Sequence, residues 1–114
     1  MSVESVFFET DMAMEDFMAW LRPVLNFPTV NRTPQRVDQE RDSVNHGGLY
    51  YLVEVLGFDL KLIRNAGETF VPEYPSHAFY LMISGGEGDG NLHLANHIRD
   101  VVARAGVRSV VEVD

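Results

Sequence analysis

Apolar residues recur along this chain with two different periods, and the changes between them predict its elements. "SVFFE" (Ser5 to Glu9) is a short aromatic and β-branched run that reads as a first strand. Thr10 or Asp11 then stands where a helix cap belongs. Met14, Phe17, Met18, Leu21, Val24 and Leu25 follow at helical spacing as one apolar stripe. Pro23 predicts a kink or a stop near Arg22. Residues 27–48, polar and with two prolines, read as a long internal loop with a helical turn around Gln35 to Arg41.

The next stretch, Leu49 to Gly67, carries the strongest β signal, rich in Tyr, Val, Leu and Ile. Gly57 divides it, either as the turn of a hairpin or as a bulge in one long strand. Phe58, Leu60 and Leu62 alternate with Asp59 and Lys61, which predicts one buried face. Asn65-Ala66-Gly67 reads as a turn, and the two prolines of "ETFVPEYPS" make that segment an edge or a loop. "HAFYLMIS" (His77 to Ser84) is nearly all apolar, as a central strand is. A glycine loop follows, and Asn91 is placed to cap a second helix buried through Leu94, Ile98, Val101, Val102 and Ala105. Gly106 ends it, and "VRSVVEV" (Val107 to Val113) reads as a last strand.

The predicted fold is therefore one α+β domain over residues 1–114. An antiparallel sheet of four to five strands carries two helices on one face, in the ferredoxin-like order β-α-β-β-α-β with an extra strand. No apolar run approaches the roughly 20 residues of a membrane span, and the acidic N-terminus does not resemble a signal peptide, so the expected location is cytoplasmic.

Charge narrows the range of partners. Seventeen acids face nine Lys and Arg, for a formal net charge of −8. Glu4, Glu9, Asp11, Glu15 and Asp16 fall in the first twenty residues with no base among them. Such a surface repels a phosphate backbone and attracts a basic protein, so nucleic acid is disfavoured as a partner. There are no cysteines, which removes disulfides, thiolate catalysis and cysteine-bound zinc.

Candidate chemistry is sparse. The loop "GGEGDG" (Gly85 to Gly90) lies between an apolar run and a helix, where phosphate loops lie. Its glycine spacing is not G-x-G-x-x-G, it has no Gly-Lys-Ser/Thr ending, and Glu87 and Asp89 would oppose an anion. It reads instead as a flexible acidic connection. His93 and His97 are four apart on one helix, the only spacing that resembles a metal site, but "HLANH" lacks the glutamate of H-E-x-x-H. No G-x-S-x-G elbow is present. Glu54, inside an apolar run, is expected on an open sheet face, and Trp20, off the first helix's stripe, is expected to cover the helix edge or to lie in an interface.

In its size, its acidity, its lack of cysteine and its lack of a catalytic motif, the whole chain resembles the small acidic immunity proteins of bacterial polymorphic toxin systems. That resemblance is one of class and carries no residue over. It implies a protein without catalytic activity or cofactor that neutralises a basic toxin by binding it. Charge and aromaticity would then make Asp11, Glu15, Asp16, Trp20, Glu87 and Asp89 the contact residues. The competing expectation is a small-ligand regulatory module of ferredoxin-like type, with the glycine loop over a pocket at the sheet end and a homodimer formed through an edge strand. An enzyme using His93 or His97 with a carboxylate is the third.

Overall fold

The computed structural model describes residues 3–27, 35–36, 49–66 and 70–113. In chain order its elements are β1 (Glu4–Glu9), α1 (Met14–Val24), β2 (Gln35–Arg36), β3 (Leu49–Val55), β4 (Phe58–Arg64), β5 (Phe79–Ser84), α2 (Gly90–Arg104) and β6 (Arg108–Val113). The strands form one sheet in the order β2-β3-β4-β5-β1-β6, and every neighbouring pair is antiparallel. At its centre are two interleaved split βαβ units. Helix α1 lies in the connection from β1 to the parallel β4, with β5 between them, and α2 joins β5 to the parallel β6, with β1 between them. This is the ferredoxin-like arrangement expected from the sequence. The sheet has six strands where four to five were expected. The sixth is the two-residue β2, which lies within the segment read as a loop. The remainder of that loop after Phe27, and its expected helical turn beyond Arg36, lie outside the described residues, as do the side chains of Tyr50, Tyr51 and Glu54.

Both helices cover the same sheet face. Val6 of β1, Leu81 of β5 and Leu62 of β4 lie abreast in the register. With Phe8, Leu60, Phe79 and Ile83 they pack against Phe17 and Leu21 of α1 and Ala95, Ile98 and Val102 of α2. Period-two and period-3.6 apolar stripes thus meet in one core. The opposite face carries a smaller cluster of Phe7, Ile63 and Tyr80, against which Val71 and Tyr74 pack. Asn65 ties down the segment that supplies them. Its Nδ2 donates to the Tyr74 and His77 carbonyls, both at 3.0 Å, and its Oδ1 accepts from the Val71 N–H at 2.7 Å. This segment, Phe70 onward, is turns and loop, which settles the edge-or-loop alternative.

Several local expectations are corrected. Neither Thr10 nor Asp11 caps α1. The N-cap is Ala13, and Thr10 Oγ1 accepts the Met12 N–H instead. Pro23 does not stop the helix, which continues to Val24 and closes with Asn26 in the left-handed region (φ 56°). There the Phe27 N–H bonds the Arg22 carbonyl and the Asn26 N–H bonds Pro23, a Schellman closure with Asn at the usual glycine position. Gly106 closes α2 in the same manner. Asn91 does not cap α2 but lies buried within its first turn, and Ala105 is exposed at the C-cap while Ala95 takes the core position. Glu4 is buried on the helix-covered face, so it does not belong to the acidic surface.

Gly57 marks a hairpin. β3 and β4 are joined by Leu56 and Gly57 alone, with φ of 51° and 84°, the two positive values of a type I′ turn.

Candidate functional site

The register fixes one end of the sheet as the place where β1 begins, β5 ends and the β3–β4 turn lies. Helix α2 starts there, and α1 returns to it. Between these elements is an apolar pocket of about 430 Å³, within the size range of small-molecule sites. One wall is the end of α1 and its closure, Val24 to Phe27; another is the hairpin, through Val55, Leu56, Phe58 and Leu60; the third is α2, through Leu94, His97, Ile98 and Val101. Among the described residues, only His97 and Asn26 bring polar side chains to this lining. Leu94 and Val101 were expected to be buried in the core; they flank the buried line of α2 and are half-covered because the pocket lies against them.

The glycine loop builds one wall of this site without lining it. A Cβ on Gly85 (φ 92°) would meet the Gly57 carbonyl oxygen at 2.7 Å, and one on Gly86 would meet the Phe58 ring at 2.5 Å and Asn91 Oδ1 at 2.6 Å. The Gly86 N–H donates to that same Oδ1 at 2.8 Å. The loop is therefore not the slack connection expected from its composition. Its first two glycines let the backbone close on the hairpin turn and on Asn91, and this packing holds Phe58 against the pocket.

The candidate residues taken from the sequence do not form one surface. Asp11, Glu15 and Asp16 are exposed where α1 begins, at the sheet end away from the hairpin. Glu87 and Asp89 are exposed at the hairpin end. Trp20 is half-buried and covers the edge of α1, stacked on Phe17 with ring centroids 5.7 Å apart. His93 and His97 are both exposed on α2, and of the two only His97 borders the pocket. Among the described residues no three His, Asp or Glu side chains are grouped to hold a metal ion.

A second hollow, of similar volume, lies at the far end of the sheet among Glu9, His77, Arg99, Asp100, Arg108 and Ser109. His77 Nδ1 and Ser109 Oγ are buried near it without a hydrogen-bond partner among the described residues. Arg99 pairs with Asp100 at 3.4 Å, and Glu9 lies opposite Arg108 in the ladder, so acids and bases alternate around it. Six of its eight lining residues are polar or charged, of both signs, so it offers no single charge to a ligand.

No helix among the described residues is long and apolar enough to cross a membrane. Comparison with family models, with curated proteins and with solved structures finds no match to this chain.

Proposed function

We propose that the chain is a small-ligand-binding module without catalytic chemistry, and that the pocket at the hairpin end takes an apolar group bearing a polar head. The observation that carries this reading is the pocket itself, an apolar hollow at the sheet end with His97 and Asn26 on its lining. Binding sites have this composition, with apolar walls for affinity and a few polar groups for orientation. Leu56 supports it. A leucine 92% exposed, in a left-handed conformation that disfavours it, stands at the pocket mouth where a ligand would cover it.

Thermal denaturation in the presence of decanoic acid, decane-like detergent and anilinonaphthalene sulfonate tests the reading. A probe that fills the pocket at a hundredfold its dissociation constant stabilises the fold by about 2.7 kcal/mol. The melting temperature then rises by on the order of 10 °C. Val101→Trp, which fills the pocket from α2, abolishes the rise while the variant stays folded. His97→Ala weakens the acid by roughly tenfold and leaves an uncharged probe unchanged. Shifts that survive Val101→Trp unaltered would overturn the assignment.

A second reading is an acidic domain that binds a basic protein, as an immunity protein binds its toxin. It is favoured by the three exposed acids at the start of α1, Asp11, Glu15 and Asp16, beside the half-covered Trp20. Its signature is a stoichiometric complex that weakens with salt and is lost on reversing those three charges.

A further inference from the structure

We infer that β6 is a self-pairing edge, through which two copies of this chain join into a continuous twelve-stranded sheet. Strand β6 ends the sheet order, with β1 on its inner side and no strand on its outer side among the described residues. An edge of this kind is a template for another strand, and monomeric proteins guard it with charged side chains, Lys above all, or with Pro, a bulge or extreme shortness. β6 has no bulge and is not short, and its two charges, Arg108 and Glu112, are opposite in sign and so do not repel a second copy. Its six residues, "RSVVEV", contain no lysine or proline, and it pairs with β1 in unbroken register from Glu9↔Arg108 to Glu4↔Val113. Val110 and Val113 on it are 37% and 57% exposed.

The occupant is argued from the order of charges. In an antiparallel pairing of β6 with its own copy about a two-fold axis through Val110, Val110 faces the partner's Val110 and Ser109 faces the partner's Val111. Arg108 then faces the partner's Glu112, and Glu112 the partner's Arg108. Both charge pairs and the valine pair fall on the sheet face not covered by helices, because they share the parity of Phe7, which pairs with Val110. Direct cross-strand pairs of opposite charge and of β-branched residues are the stabilising units of a sheet. Moving the axis to Val111 keeps a valine pair, Val111 with its copy, but sets Val110 against Glu112 and loses both charge pairs, so the charges select one register. Arg108 is exposed and makes no ion pair with the described residues. Glu112 is hydrogen-bonded to Tyr74, and a carboxylate has lone pairs left for a guanidinium. The two-fold axis normal to the sheet leaves all four helices on one side. It also keeps both hairpin-end pockets clear of the interface, so the dimer does not depend on what those pockets bind.

One short strand buries less than a standard interface, so the dimer is expected to be reversible and concentration-dependent. Sedimentation equilibrium of the whole chain at increasing concentration shows monomer passing to dimer. Hydrogen exchange at the two concentration extremes shows protection gained in β6. Arg108→Glu sets like charges opposite one another twice and raises the dissociation constant roughly tenfold or more. Glu112→Arg does the same, and the double exchange R108E/E112R, which restores opposite charges, recovers the dimer. Val110→Lys abolishes it, with the far-ultraviolet circular dichroism unchanged. A monomer at every concentration overturns the inference, and so does a dimer indifferent to Arg108→Glu and Val110→Lys.

Discussion

Asn26 and Leu56 both have left-handed backbone beside the pocket, and they meet its strain differently. Asparagine visits this region at small cost, which suits Asn26 to the closure of α1. Leucine does not, and a type I′ turn favours asparagine at the position Leu56 holds. Leu56 is also almost fully exposed, so it gains little from burial. Leu56→Asn should therefore raise stability by about 1 kcal/mol, read as a shift in the urea midpoint at constant slope. If the pocket binds an apolar group, the same change lowers affinity, because it removes apolar surface from the mouth. Opposite signs for stability and affinity distinguish a residue kept for binding from one that is merely tolerated. A variant that is both more stable and equally able to bind would detach Leu56 from the site.

At the scale of elements, the segment 70–78 is held over the second sheet face by Asn65 and by ring stacking. Tyr74 lies on Phe7 with centroids 4.4 Å apart. Its phenol is pushed above the ordinary tyrosine value by burial, then by the charge of Glu112 and the hydrogen bond to it, then by the charge of Glu73. The folded state thus holds the proton more tightly than the unfolded chain. That contribution is complete below about pH 10, the unfolded value, and is lost as pH rises through the folded one. Urea midpoints from about pH 9 upward should fall less steeply for Tyr74→Phe than for the native chain, and equal slopes would remove Tyr74 from the alkaline transition. This segment also marks the limit of sequence reading. The order of elements and the α1 stripe were readable because apolar period reports which face is covered, whereas of the stripe expected on α2 only Ile98 and Val102 are buried. The helix starts were misassigned because Thr10, Asp11 and Asn91 have the right chemistry for caps, yet Asn91 is engaged by Gly86 instead. Gly57 left hairpin and bulge equally open, since only the antiparallel pairing of β3 with β4 decides between them. A pocket at the sheet end was one of the expectations, but the residues that line it were not readable. Residues 24–27, 55–60 and 94–101 meet only because the ferredoxin-like crossings bring α1, the hairpin and α2 to one end of the sheet.

For the whole molecule, the formal charge of −8 is not spread as the linear sequence implies. Glu4 is withdrawn into the fold, and the exposed candidate acids divide between the two ends, Asp11, Glu15 and Asp16 at one and Glu87 and Asp89 at the other. These groups are separated by the length of the helices, about 16 Å for the 11 residues of α1 at 1.5 Å each. That exceeds the screening length of about 8 Å at physiological salt, so a basic partner senses the two ends separately. Reversal of Asp11, Glu15 and Asp16 to lysine therefore tests one end, and reversal of Glu87 and Asp89 tests the other. If a basic protein docks at the start of α1, the first set abolishes its salt-sensitive association and the second leaves it within about twofold. The pocket offers the control. Its occupancy by an uncharged probe should be unchanged by the first set, because apolar burial is not screened by salt. Equal loss of basic-partner binding in both sets would mean attraction to net charge alone, and would leave the pocket as the proposed specific site among the described residues.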